Sequence, residues 1–378
     1  MRKAPEYGRR KTEDGLSKTV VLCFGLFVLC ASAGFAQEAQ YFEEERKPHV
    51  VFQWDLFARY DRFSHLVFRP DIVRGRFEAR PELDLVFSDR FRIGARAVAD
   101  LGTDQNSDNA RNFDNYRSNG ATLDRYFIEG KPGAFELRAG SFGMPLLSTE
   151  MIWDNDIQAL GAAAAWEVPA GASRITLAAG GFVGPQREGD RTRVGAGQIV
   201  WRFGDRGALA MEAAASYWFF DPDSLKPSYF RQNYSEPDGR GGLRLGSRFH
   251  IVDALVRFHF PVGRVPVTVS IDGLVNLGAR GEARKERQAF EGSVVLGQVG
   301  TPGNVRGFYT FQYIARDAVV GAYNTDDWWF HSWCRGHRLG LAVTLFPQIF
   351  VQGTLMIQQR LDRDTHLNRI TIDVVKMY

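Results

Sequence analysis

From residue 73 to residue 85 the chain alternates: Val73, Gly75, Phe77, Ala79, Pro81, Leu83 and Leu85 take one parity, and Arg74, Arg76, Glu78, Arg80, Glu82 and Asp84 take the other. The pattern turns at Ser88-Asp89-Arg90 and resumes, with Phe91, Ile93, Ala95, Ala97, Ala99 and Leu101 set against Arg92, Gly94, Arg96 and Asp100. A helix would scatter both sets around its circumference, whereas an extended strand sends successive side chains to opposite faces. The two runs are expected to form a hairpin with one apolar and one charged face. Soluble strands average about five or six residues, while about 9–11 tilted strand residues cross a bilayer. The hairpin therefore reads as the wall of a transmembrane β-barrel with its charged face toward water. The alternative at this point is a long hairpin in a soluble sandwich or a lipocalin-like barrel. Pro81 has no amide hydrogen to give to a ladder and is expected to mark an edge or a bulge.

The same rhythm recurs along the chain. A strand over 50–61 precedes the hairpin, with Phe52, Trp54, Leu56, Ala58 and Tyr60 against Gln53, Asp55, Arg59 and Asp61. After an Asn/Asp-rich stretch, 102–121, strands are expected over 123–130 and 134–141, around Lys131-Pro132-Gly133. Residues 142–157 are too apolar for an ordinary external loop. The alanine-rich 158–167 fits a helix as well as a strand, since Ala is the best helix former. It is assigned as a strand because a turn at 168–171 and a strand over 175–183 follow. Further strands are expected over 194–203, 208–220, 250–260, 267–277, 288–298, 305–318, 338–345 and 349–360, and a last one runs to the end of the chain. That makes sixteen, and short turns alternate with long loops. In bacterial barrels such alternation places the short turns and both termini on the periplasmic side and the long loops outside. The expected fold is all-β, a closed antiparallel transmembrane barrel of about 16 strands over residues 49–378.

Composition sharpens this picture. The mean hydropathy of −0.25 would suggest a soluble chain, but alternating strands average to near neutrality and hide a barrel. The one sustained apolar run, 19–36, follows Arg2, Lys3, Arg9, Arg10, Lys11 and Lys18 and ends in small residues. It reads as a signal peptide over 1–36, followed by a polar, acid-rich leader over 37–48. Six of the 47 Lys/Arg and three of the 44 Asp/Glu lie in 1–36, so 41 of each remain and the processed chain is formally neutral. The apparent basicity belongs to the signal, and the electrostatic footprint of a nucleic-acid partner is missing. Of the three cysteines, only Cys334 lies beyond the signal, so no intrachain disulfide is expected.

Catalytic motifs are sparse. There is no HExxH, G-x-S-x-G, paired CxxC or phosphate-binding loop, and no cofactor or metal is expected. Cys334 reads as an incidental loop thiol, His250 and His259 as solvated or interfacial side chains, and Trp328 and Trp329 as part of an outer aromatic girdle. The functional signal is the inward ladder: Arg59, Arg74, Arg76, Glu78, Arg80, Glu82, Asp84, Arg92, Arg96, Asp100, Glu136 and Arg138. Asp253, Arg257, Asp272, Glu291, Arg306, Arg316, Arg338 and Arg369 are further inward candidates. Charged rings set pore selectivity, and arginine favours anions. The alternative is a salt-bridged, plugged interior. An adhesion or structural barrel and a lipid-hydrolysing barrel enzyme also stay open, although nothing selects a Ser/His pair for the latter.

The aromatic C-terminal residue on the alternating segment NRITIDVVKMY looks like the terminal signature of bacterial outer-membrane barrels. Together with MIWDNDIQALGAAAAW (151–166) and TDDWWFHSWCRGHRLGL (325–341), it resembles a porin family with sixteen-stranded barrels. The resemblance implies passive diffusion of small hydrophilic solutes or ions across the outer membrane of a Gram-negative bacterium. It also implies outer-membrane lipid as surroundings, a homotrimer as a candidate assembly, and a candidate constriction segment containing Glu150, Trp153, Asp154 and Asp156.

Overall fold

Period-two alternation becomes sixteen strands. The computed structural model describes residues 48–66, 71–102, 120–184, 192–205, 208–225, 232–325 and 327–377. The expected signal peptide, all of the leader but Pro48, and residues 103–119 of the Asn/Asp-rich stretch lie outside them. The strands are β1 (His49–Ser64), β2 (Ile72–Ser88), β3 (Phe91–Gly102), β4 (Gly120–Gly130), β5 (Phe135–Gly143), β6 (Gln158–Ala170), β7 (Ser173–Gly184) and β8 (Thr192–Gly204). They continue as β9 (Ala210–Phe220), β10 (Phe249–Val262), β11 (Val265–Asn276), β12 (Gln288–Gly297), β13 (Val305–Ile314), β14 (Cys334–Phe346), β15 (Ile349–Arg360) and β16 (His366–Lys376). Each pairs antiparallel with its sequence neighbours, and β1 closes on β16 from Leu56↔Lys376 to Ser64↔Asn368. Closure leaves no sheet edge, the condition for strands to stand in hydrocarbon without unsatisfied backbone groups. No helix among the described residues is long and apolar enough to cross a membrane.

Parity sorts the side chains as the alternation requires. Val73, Phe77 and Leu85 on β2 and Ile370, Ile372 and Val374 on β16 are exposed on the outer wall. Aromatic rings gather near the short-turn end, with Phe135 stacked on Trp166 at 5.9 Å, Trp201 on Phe203 at 6.0 Å, and Lys376 Nζ 3.5 Å from the centre of the Trp54 ring. Toward the long-loop end, Tyr217 and Tyr309 hydrogen-bond His250 and His337 on the neighbouring strands at 2.6 and 2.8 Å. An apolar band between two aromatic girdles is the outer surface of a membrane barrel. The short turns are tight: Gly171 (φ 63°) and Gly263 (φ 62°) supply the left-handed residue that two-residue hairpins demand.

Several local expectations change. The alanine-rich stretch is strand β6, paired along its length with β5 and β7, because two neighbouring ladders override helix propensity. Pro81 makes neither an edge nor a bulge. The β2–β3 register is the same on both sides of Arg80-Pro81, which form no paired positions with β3. β13 ends at Ile314, not near residue 318: Ala318 and Val319 are fully buried in an irregular segment described over 315–325 and 327–333. Trp328 and Trp329 do not join the outer girdle. Trp328 is buried, and Trp329 meets Phe63 edge-on at 5.0 Å inside the wall. Cys334 is a buried residue of β14, not a loop thiol. His259 faces inward, toward Thr268 at 3.0 Å and Glu212 at 3.4 Å.

Candidate functional site: a constricted lumen

The inward parity of β2 meets partners from strands far away in sequence. Asp61 on β1 is fully buried, and it accepts from Arg74 at 2.8 Å and from Arg369 on β16 at 3.0 and 2.9 Å. Arg59 lies between Asp373, at 2.7 Å, and Asp327, at 2.9 Å. Arg80 joins Glu78 to Asp156, the latter at 2.9 Å. Farther round, Arg92 bridges Asp84 at 3.1 Å and Glu129 at 2.9 Å, Arg96 binds Asp124 at 2.6 Å, and Glu82 pairs with Arg125 at 3.3 Å. Arg138 joins Glu129 and Glu136 near the short turn at Lys131. Asp100 stands apart at the opposite end, accepting from the Gly120 amide at 3.1 Å. Arg76 alone of the ladder arginines makes no ion pair or hydrogen bond among the described residues, and it faces an open recess.

Sequence parity missed half of these partners. Asp373 and Glu129 sit between outward residues, Ile372 and Val374 or Ile128 and Gly130, so the alternation could have found them. Asp124 and Arg125 are adjacent yet both pair with inward groups, because a bulge shifts the register between Arg96 and Ala97. Its trace in the sequence is that the exposed Leu123 and Tyr126 stand an odd number of residues apart. Arg316 leaves the set of wall residues. It lies beyond the end of β13, with its guanidinium 4.6 Å from the Trp333 ring and 5.1 Å from Tyr234.

Two segments fold into the barrel. Residues 144–157 leave β5 and cross to the far wall. Gln198 on β8 grips Leu147 through two hydrogen bonds, from the Leu147 amide at 2.9 Å and to its carbonyl at 2.7 Å. Arg257 donates to the Ser148 carbonyl at 3.0 Å, Thr149 donates to Asp272, Glu150 binds Arg338 at 3.0 Å, and Asp156 returns to Arg80. Trp153 is buried, stacked on Tyr323 of the second segment at 5.2 Å, and donates to the Ile157 carbonyl at 3.0 Å. Asp154 is buried as well, and its amide donates to the Tyr323 carbonyl at 2.8 Å. The candidate constriction residues thus lie inside the barrel, the two acids at either end on arginines and the middle pair packed.

The second inward segment, 315–333, gave no such signal in the sequence. Asn233 holds it through Arg316 and Val319 carbonyls at 2.8 Å each, and Gln358 on β15 clamps Phe330 as Gln198 clamps Leu147. Its Asp327 reaches Arg59, and Arg338 and Arg369 each stand 3.5 Å away. Burial works to raise the Asp327 carboxyl, but Arg59, Arg369 and Arg338 outweigh it and hold the group well below the ordinary carboxylate range. Met151, Ile152, Val319, Val320 and Tyr323 pack with Trp218 and other wall residues, filling part of the long-loop end with an apolar core.

Two recesses of about 410 and 310 Å³ remain beside these segments. Both are lined by Arg59, Glu150, Asn155 and Asp327, so they meet at those four side chains. Arg257, Glu291 and Arg306 face the larger one, Arg76, Glu78 and Arg80 the smaller. Among the described residues no group of three or more His, Cys, Asp or Glu side chains is arranged to hold a metal ion.

No family model matches the chain, and no curated protein matches it by sequence. Solved structures do. OprB of Pseudomonas putida aligns over 87% of this chain and 94% of its own at 10% identity, with a TM-score of 0.57. OmpF of Salmonella typhi, solved with daunomycin, covers 87% of this chain and 97% of its own at 9% identity and a TM-score of 0.53. A BenF-like porin from Pseudomonas fluorescens covers 87% and 98% at 9% identity and a TM-score of 0.51. The chain, itself a closed sixteen-stranded barrel, shares the barrel fold of these bacterial outer-membrane porins.

Proposed function

We propose that this chain is an outer-membrane channel through which small hydrophilic solutes and ions diffuse passively, with a mild preference for anions. The observation that carries this reading is the pair of charged recesses that meet at Arg59, Glu150, Asn155 and Asp327, beside a segment folded in from the wall. A barrel of sixteen strands has room for an aqueous path, and an inward segment carrying charges at its narrowing gives that path selectivity. The fold held in common with OprB, OmpF and the BenF-like porin supports the same class and the outer membrane as its setting. The anion preference rests on Arg76, which shares its recess with Glu78 and Asp156 but makes no ion pair or hydrogen bond among the described residues, and on Arg306, whose one hydrogen bond among the described residues goes to the neutral Gln352 at 2.6 Å. A second reading, an adhesion or structural barrel with a closed lumen, is favoured by the apolar core in the long-loop end.

Planar-bilayer recording on the purified protein separates the two. Stepwise conductance supports the channel, with three coupled closures per insertion as the mark of a homotrimer, and silence from a folded barrel favours the closed reading. In a salt gradient, Arg76→Glu should move the zero-current potential toward cation preference. The shift is expected to be modest because water and salt screen charges beyond about 8–10 Å, and an unmoved potential would remove Arg76 from selectivity. Orientation has its own test. Cysteine at Arg284, exposed at the long-loop end, should react with an impermeant reagent on intact cells, and cysteine at Gly171 should not. The native Cys334 is buried and gives little background, so the reverse labelling pattern would invert the assignment.

A further inference from the structure

Behind the inward segment lies a pair of carboxylates with no hydrogen-bonded counter-charge among the described residues. Asp253 on β10 and Asp272 on β11 occupy diagonal inward positions, Asp253 opposite Leu274 and Asp272 opposite Leu255, and both are fully buried. Neither oxygen of Asp253 and only one of Asp272 has a hydrogen-bond partner. The bonded oxygen, Oδ2 of Asp272, accepts from Thr149 of the inward segment. The polar side chains acting on Asp253 are the Asp272 carboxyl and the Ser216 hydroxyl, which itself accepts from Gln198 at 2.8 Å. Around them stand Ile251, Leu255, Leu274 and Trp218, all buried. The charged groups that face the pair are few: Arg257 on β10, bonded to the Ser148 carbonyl; Glu291, opposite Asp272 on β12; and Glu150, bonded to Arg338 of β14. None of these hydrogen-bonds Asp253 or Asp272.

Two ionised carboxylates side by side in such surroundings repel, and each loses its hydration with no hydrogen-bonded cation to replace it. We propose that Asp253 and Asp272 share a proton and that this acid pair is a positioning latch for the inward segment. Asp253 donates the shared proton to Asp272 Oδ1, leaving Oδ2 to hold the Thr149 hydroxyl. Loss of the proton sets two negative charges against each other beneath residues 147–150 and loosens the segment, so the passage widens as pH rises. The latch rests on the channel reading given above.

Two measurements test it. Wild-type conductance is expected to step up toward alkaline pH, and Asp253→Asn, whose amide donates permanently to Asp272, should lose that step while the rest of the profile stays. Asp272→Asn should lose it as well. Infrared spectra of the purified protein should contain a protonated-carboxyl stretch at neutral pH that is missing from Asp253→Asn, a readout independent of conduction. An unchanged pH profile in Asp253→Asn, or identical carboxyl bands, would overturn the latch. Conductance that responds to a chelator and to added calcium, instead of to pH, would replace the proton by a bound cation and overturn it too. A wild-type barrel that passes no current would sink the channel reading, while the infrared band would still decide the shared proton.

Discussion

Replacing Asp327 by asparagine should shift the proposed channel strongly toward anions. The two recesses meet at Arg59, Glu150, Asn155 and Asp327, so this carboxylate is one of two negative charges at the junction. Arg59 bonds it at 2.9 Å, and Arg338 and Arg369 stand 3.5 Å away. The substitution keeps the shape and removes the charge. Arg369 retains Asp61 and Arg59 retains Asp373, and one negative charge fewer stands among Arg59, Arg338 and Arg369 at the junction. Losing a hydrogen bond between charged groups costs about 1.5–3 kcal/mol, borne by the 315–333 segment and not by the closed ladder. Reversal potentials in a salt gradient read the selectivity. If they match wild type while the barrel is intact, the junction is not where ions are sorted.

The same carboxylate makes a pH dependence whose sign is determined. Its folded value lies below that of the unfolded chain, about 3.9, so the stabilisation is complete above that pH and is lost as pH falls through the folded value. Mild acid should therefore leave the contribution of Asp327 intact, and only strong acid should free the second segment. Asp327→Asn should lack this acid step. An acid transition that persists unchanged in the variant would assign it to other carboxylates.

The strands were legible because period-two alternation is a local property: residues 73–85 declare their two faces without help from the rest of the chain. What lay beyond reach was which charges meet. Arg369 and Asp61 are 308 positions apart and become partners only when β16 closes on β1, and local alternation carries no record of that register. The opening ladder looked rich in arginine because its counter-charges, Asp61, Asp124, Glu129 and Asp156, lie on other strands or in the inward segment. Apolar residues misled for a related reason. Ala315 and Ala318 read as a continuation of β13 and the tryptophans after them as a girdle, since lipid outside and an apolar core inside a lumen select the same side chains. Residues 142–157 were conspicuous as too apolar for an exposed loop. That excess is the buried face of the inward segment, while Glu150 and Asp156, at either side of it, are the charges that fasten it to the wall.

That fastening predicts the second large effect. Trp153→Ala should open the passage and raise single-channel conductance with the barrel still folded. The indole is buried, stacks on Tyr323 at an interplanar angle of 13°, and hydrogen-bonds its own segment at the Ile157 carbonyl. It is the ring through which the two inward segments hold each other. Truncating a buried Trp to Ala costs about 3–5 kcal/mol, and what then ties the two segments is the Asp154 amide to the Tyr323 carbonyl, the Thr325 amide to the Glu150 carbonyl and the apolar core that Met151 and Ile152 share with Val319 and Val320. The sixteen-stranded ladder does not depend on that contact. Heat-modifiable migration should therefore remain close to wild type, while conductance grows and protease reaches the 144–157 segment. Trp153→Phe keeps a ring against Tyr323 and should lie near wild type in conductance, which separates loss of packing from loss of the hydrogen bond. A Trp153→Ala barrel that is open to protease in this segment yet conducts as wild type would mean the segment lies beside the solute path and does not narrow it.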